Sequence, residues 1–197
     1  MKYPTFFENV QTITMKDNLA DFLGSIDDGI IEFSYLDIVK TAGHSCPTVA
    51  GAYIMCLRGL KELYKDELPV RGEIVIEFKE DENEGVTGVI SNVMSQITGA
   101  TKTLGFKGIS GEYIRHSLVS YNRDINASVK FTRNDTNESV ELLYNPNTVP
   151  ADPRQMELMQ KLLKNFANDE EAQEFKVLWQ KRVEAIFENI DKVITVK

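Results

Sequence analysis

The stretch Cys46-Pro47-Thr48-Val49-Ala50-Gly51-Ala52-Tyr53-Ile54-Met55-Cys56-Leu57-Arg58-Gly59-Leu60-Lys61-Glu62-Leu63-Tyr64 is the clearest helix in the chain, and the rest of the reading is built outward from it. Val49, Tyr53, Leu57, Leu60 and Leu63 recur at helical intervals and predict one buried stripe. Pro47 suits the first turn, where its missing N–H would have been unpaired anyway, and Pro69 lies well past the end. Cys46 then falls at the N-cap, directly after Gly43-His44-Ser45.

Upstream, Leu19, Phe22 and Leu23 predict a short amphipathic helix stopped by Gly24. Asp27-Asp28-Gly29 reads as a turn, Ile30, Ile31, Phe33 and Tyr35 as a strand, and Asp37 to Lys40 as a short helix leading into Ala42-Gly43. Downstream, Gly72 to Phe78 alternates apolar with polar, the strand period. An acidic turn at Glu80 to Glu84 precedes a helix over Val86 to Ile97, with Val89, Ile90, Val93, Met94 and Ile97 inward and a stop at Gly99.

A connection rich in glycine follows, with Gly99, Gly105, Gly108 and Gly111. Leu118 to Tyr121, Ala127 to Phe131 and Val140 to Tyr144 predict three more strands, the last two joined by a hairpin turn at Asn134 to Asn137. Past a proline-punctuated linker, two helices are expected from about Arg154 to Ala167 and Glu170 to Ile190. The second carries Phe175, Leu178, Trp179, Val183, Ile186 and Phe187 on one face. The predicted class is α+β: a mixed, mainly antiparallel sheet packed by helices, with a C-terminal helical pair. Residues 1–149 form the expected core, and 150–197 a helical extension packed on the core or on a partner.

The bulk composition narrows the function. With 197 residues, 42% hydrophobic and 26% charged, the chain is long enough to bury a full core. A formal net charge of -8, with basic residues scattered among acids, argues against nucleic-acid binding. No apolar run of about 18 residues exists to span a membrane, and the N-terminus lacks a signal-peptide pattern. Cys46 and Cys56 lie ten positions apart on one helix. That separation is roughly 15 Å, beyond the ~7 Å that a disulfide tolerates. Reduced thiols and a cytoplasmic address are the expectation, and the sequons at Asn126, Asn134 and Asn137 read as surface polar residues.

The chemistry converges on His44 and Cys46. A His-x-Cys pair supplies the nitrogen and sulfur donors that suit Zn²⁺ and related metals. At a helix N-terminus, unpaired N–H groups and the dipole favour a thiolate, and His44 is placed to act as its base if Cys46 is a nucleophile. Ala50, Gly51 and Ala52 leave room for a substrate or another backbone to approach. A buried inert cysteine and a satisfied capping histidine account for the same two residues, and the spacing alone does not decide.

A resemblance weighs in favour of the metal. Gly43-His44-Ser45-Cys46-Pro47 is similar to the Gly-His-x-Cys-Pro-Gly signature of the formylmethanofuran dehydrogenase E-subunit family. Ile97-Thr98-Gly99-Ala100-Thr101 resembles that family's Thr-Gly-Cys-Thr stretch, in the expected order, so the likeness covers about residues 15 to 145. It implies an α+β core, a metal near His44 and Cys46, and a dimer. Ala100 stands where the family commonly carries a cysteine, and Val89 or a neighbour replaces another. No cysteine follows Cys56, so the C-terminal zinc finger of some members has no counterpart.

Two protein donors are too few for a closed structural zinc site, which takes four. The remainder would be water, substrate, a partner subunit or residues brought in by folding. Asp37 reads better as a helix N-cap than as a ligand, and His116 as a surface residue. The glycine-rich loop, with Lys102, Lys107 and Arg115, offers either an anion cradle or, preferably, a loop needing positive φ. Thr98, Gly99 and Thr101 are candidates for a cofactor or pocket wall. Cys56 and Trp179 read as packing residues. The leading expectation is a cytoplasmic, homodimeric metal-binding protein using Zn²⁺ or another divalent transition metal, an enzyme or a redox-linked accessory. A metal-free thiol enzyme with Cys46 as nucleophile and His44 as base, and a small-molecule-binding module, are the alternatives.

Overall fold

Helix α3 (Pro47–Tyr64) crosses one face of a five-stranded sheet in the computed structural model, which describes residues 2–197. The sheet is built from β3 (Ile74–Phe78), β4 (Val119–Ser120), β5 (Val129–Arg133), β6 (Ser139–Tyr144) and β7 (Ile194–Val196) in the order β4-β3-β5-β6-β7. Only β3 and β4 run parallel; the other pairs are antiparallel. Alternation fixes which face is inner: Ile74, Ile76 and Phe78 of β3 are buried, register-paired with Arg133, Phe131 and Val129 of β5. Each such aliphatic or aromatic side chain removed from water stabilises by roughly 1.5–3 kcal/mol.

Close approach of α3 to the sheet depends on its glycines. A Cβ on Gly59 would lie 2.7 Å from Leu142 Cδ1 and 2.9 Å from the Phe131 ring. One on Gly51 would overlap the Tyr144 ring. Of the predicted stripe Val49, Tyr53, Leu60 and Leu63 are buried and Leu57 is half-buried, and the buried surface extends further. Ala50, Ala52, Ile54, Met55 and Cys56 are buried too, because α4 (Thr87–Thr98), α2 (Tyr35–Ala42) and α6 (Asp169–Glu188) cover the helix on its other sides.

Two short strands escape the sequence reading. β1 (Ile13–Lys16) pairs antiparallel with β2 (Ile30–Phe33) around α1 (Asn18–Phe22), and four residues are too few to show a period. β7 follows a short α7 (Ile190–Val193) and completes the sheet edge, and the long helix before it ends at Glu188 rather than Ile190. Tyr35 starts α2 instead of ending the strand, since Ser34 caps that helix. Asp37 is not the N-cap but the N3 member of a capping box with Ser34. Phe22 and Leu23 do not face a core; they are 60% and 61% exposed, and Val89 is also exposed.

α5 (Pro153–Leu163) packs on α6, and α6 packs on α3. Val183, Ile186, Val193 and Ile194 are buried in the same core cluster as α3 and the sheet. No helix among the described residues is long and apolar enough to cross a membrane.

Candidate functional site

The segment Gly43 to Cys46 is a turn between two helices. Gly43 ends α2 at φ 79°, the left-handed conformation that releases the chain from the helix. Cys46 is extended and caps α3, its Sγ accepting the Val49 N–H at 3.4 Å. The predicted N-cap is present, and Cys46 is 9% exposed. His44 is solvent-exposed, and its Nδ1 lies 3.0 Å from the Ala42 carbonyl oxygen. A carbonyl only accepts, so the tautomer that makes this bond carries its proton on Nδ1 and keeps a free lone pair on Nε2.

Ser45, between them, is held from three directions. Its hydroxyl lies 3.0 Å from the Tyr35 hydroxyl and donates to Gln180 Oε1 at 3.1 Å. Its carbonyl accepts from Trp179 Nε1 at 3.0 Å and Gln180 Nε2 at 3.3 Å. Trp179 is thus more than the packing residue expected: α6 clamps the His-x-Cys turn from a point more than a hundred residues away. Sequence reasoning missed Gln180 altogether. An amide directly after the indole on this helix is its only local signal.

The start of α3 is held from the sheet side as well. Tyr144 Oη donates to the Pro47 carbonyl at 2.6 Å, and its ring occupies the space over Gly51. The room expected at Ala50 to Ala52 is therefore filled by the protein's own core. Burial pushes the hydroxyls of Tyr35 and Tyr144 well above the usual phenol range. Both stay neutral donors. Burial likewise pushes the Cys56 thiol up, in keeping with a core role.

His44 opens onto a groove of about 380 Å³ between the end of α2 and the outer face of α4. Thr41, Val89, Asn92, Ser95 and Gln96 line it, with Thr41 Oγ1 donating to Gln96 Oε1. Val89 thus stands beside His44 on the segment where the resemblance implies that Val89 or a neighbour replaces a cysteine. Asn92 and Gln96, one turn apart on α4, are polar groove residues that sequence reasoning passed over. Among the described residues no group of three or more His, Cys, Asp or Glu side chains is arranged to hold a metal ion. Of the two predicted site residues His44 lines the groove, whereas Cys46 is buried at the start of α3.

The other candidates lie apart from this groove. Thr98 is fully buried, donating to the Met94 carbonyl at 2.7 Å and accepting the Ala100 N–H at 3.2 Å. Gly99 ends α4 at φ 75°, and Thr101 Oγ1 donates to the Arg115 carbonyl at 2.8 Å. Gly99 and Thr101 lie against Arg115, with whose guanidinium a Cβ on Gly72 or Gly99 would collide. Arg115 Nη2 and Arg71 Nη1 each donate to Asp17 at 2.7 Å, and Arg71 also reaches the Gln96 and Ile97 carbonyls at the end of α4. The glycine-rich loop is folded around an internal ion pair. His116 is half-buried, its Nδ1 2.9 Å from the Ser117 hydroxyl, and Lys102 pairs with Glu82.

These features define an α+β protein whose His-x-Cys turn opens a helix buried between a sheet and three other helices. The sequence model of the FmdE family, described as molybdenum formylmethanofuran dehydrogenase operon, matches residues 41–196, and the chain belongs to this family. The match runs past the two motifs through α5, α6, α7 and β7. No curated protein matches the chain.

Proposed function

We propose that this chain is a metal-binding protein resembling the E-subunit of formylmethanofuran dehydrogenase, with His44 and Cys46 as its own donors to Zn²⁺ or another divalent transition metal. The observation that carries the reading is the imidazole geometry. Its Nδ1 is engaged by the Ala42 carbonyl, which leaves an exposed Nε2 lone pair two residues from the Cys46 sulfur. A ring nitrogen oriented by a backbone carbonyl is the usual support of a ligating histidine. The donor set fits a borderline metal in type but not in number, which leaves positions for water, substrate or a donor from a partner subunit.

A bound divalent ion with open positions supplies Lewis acidity. The chain's own residues do the rest. Trp179 and Gln180 fix the Ser45 carbonyl, and Tyr144 fixes Pro47, so the two donors are presented from a rigid turn. Thr41, Asn92 and Gln96 line the groove at His44 with groups able to orient a small polar substrate. The reading takes the protein as an enzyme or redox-linked accessory, cytoplasmic in keeping with its free cysteines, and homodimeric.

Elemental analysis of protein purified without chelator tests this. About one divalent metal per chain is expected, lost in His44→Ala and in Cys46→Ala while circular dichroism stays native. A metal-free protein that takes none up on dialysis, and whose Cys46 is rapidly alkylated at neutral pH, would establish the thiol reading instead.

A further inference from the structure

A cleft of about 260 Å³ lies between the N-terminal segment and the end of α6, away from the His44 groove. Phe6, Val10, Leu57, Phe187 and Ile190 make its apolar wall, and Glu184 and Glu188 stand on the same lining. We propose that this cleft binds a small organic cation, a protonated amine carrying an apolar or aromatic body.

The charge arrangement selects that ligand. Glu184 and Glu188 are one helical turn apart on α6, and like charges at this spacing destabilise a helix. Neither carboxylate has an ion-pair partner among the described residues, although the other half of this helical pair is laced with them. Among the described residues no Lys or Arg lines the cleft; Arg58, next to Leu57, is engaged by Asp191. A cation seated between the two carboxylates would remove a repulsion that the protein leaves uncompensated. A neutral solute would not, and an anion would worsen it.

The wall selects the rest of the molecule. Phe6 and Phe187, with ring centroids 6.3 Å apart, supply aromatic surface that attracts a cation and buries a hydrocarbon body. The cleft falls just under the roughly 300–1,000 Å³ of drug-sized sites, which suits a small molecule rather than a peptide. The chain's net charge of -8 raises the local concentration of any such cation.

The test titrates the ¹⁵N-labelled full chain at neutral pH with 2-phenylethylamine, its neutral match 2-phenylethanol, and phenylacetate. Expected are amide shifts centred on Phe6, Leu57, Phe187 and Ile190. The amine should bind on the order of tenfold tighter than the alcohol, with phenylacetate weakest. In the Glu184→Gln/Glu188→Gln double variant the amine should fall to the alcohol's affinity with an otherwise native spectrum, since neither carboxylate makes an ion pair among the described residues. Equal binding of amine and alcohol, shifts centred elsewhere, no shifts at millimolar ligand, or a preference that survives the double substitution would each overturn the proposal. None of these outcomes bears on metal binding at His44 and Cys46.

Discussion

Replacing Asp17 by Asn separates a buried charge from a helix cap. Asp17 is 5% exposed, and it N-caps α1 by accepting the Leu19 and Ala20 N–H groups at 3.0 and 3.1 Å. Its two oxygens also receive Arg115 and Arg71. Asn caps a helix as well as Asp, so the cap survives and the negative charge alone is lost. What remains is Arg115, 7% exposed, beside Arg71 with no counter-charge. Removing one partner of a buried pair costs about 3–5 kcal/mol, a large part of the stability of an ordinary domain. For a chain of this size that is a fall in Tm of roughly 6–20 °C.

Urea unfolding followed by circular dichroism measures the loss. A companion variant, Asp17→Asn with Arg115→Met, should recover part of it, because the orphaned cation is gone. Acid should produce the same loss in the unaltered protein. Burial by itself would raise the Asp17 carboxyl, but the Ala20 N–H and the Arg115 and Arg71 guanidinium groups outweigh it and hold the group below the usual carboxylate range. A depressed folded-state value contributes stability above the unfolded value near 4, and that contribution disappears as pH falls through the folded one. A loss below about 1 kcal/mol, the size of an exposed pair, would refute the buried-network reasoning.

Three other outcomes follow from the packing around α3. Gly51→Ala should destabilise by about 1–3 kcal/mol, since the added methyl displaces the Tyr144 ring and breaks its bond to Pro47; restored stability in Gly51→Ala/Tyr144→Leu would assign the cost to that overlap, and a thermally neutral single variant would remove it. Trp179→Phe keeps an aromatic ring but loses the N–H to Ser45, so about 1 kcal/mol should go, with faster hydrogen exchange at residues 43–47; exchange unchanged there would mean that α6 does not hold the turn. Alkylation under native conditions should leave Cys56 unmodified by peptide mapping, both thiols reacting only in denaturant; ready labelling of Cys56 in the folded chain would contradict its burial.

Helix α3 and the hairpin of β5 and β6 were legible because long periodic segments and a loop of turn residues state their structure locally. β1 and β7 were not, since three or four residues acquire strand geometry only from the partners they meet. The same contrast runs through the site. Gly43, Cys46 and Pro47 carry turn, cap and first-turn chemistry in their own identities, so the motif could be read. The grip of Trp179 and Gln180 on Ser45, and of Tyr144 on Pro47, joins segments about a hundred or more residues apart, and no local pattern encodes such a contact. The glycine-rich loop was read in its preferred form, as backbone needing positive φ, while the partner of its buried charge was not legible. Its charge, Arg115, looks free in sequence and is neutralised by a carboxylate 98 residues upstream.

Cobalt substitution tests the central claim most directly, because thiolate ligation of Co²⁺ produces an intense sulfur-to-metal charge-transfer absorption. Titration of the apo-protein with Co²⁺ should develop that band to saturation at about one ion per chain. The band should survive Cys56→Ala, disappear in Cys46→Ser, and weaken or shift in His44→Ala. A titration with no charge-transfer band, or a band indifferent to Cys46→Ser, would contradict the assignment of His44 and Cys46 as the metal donors.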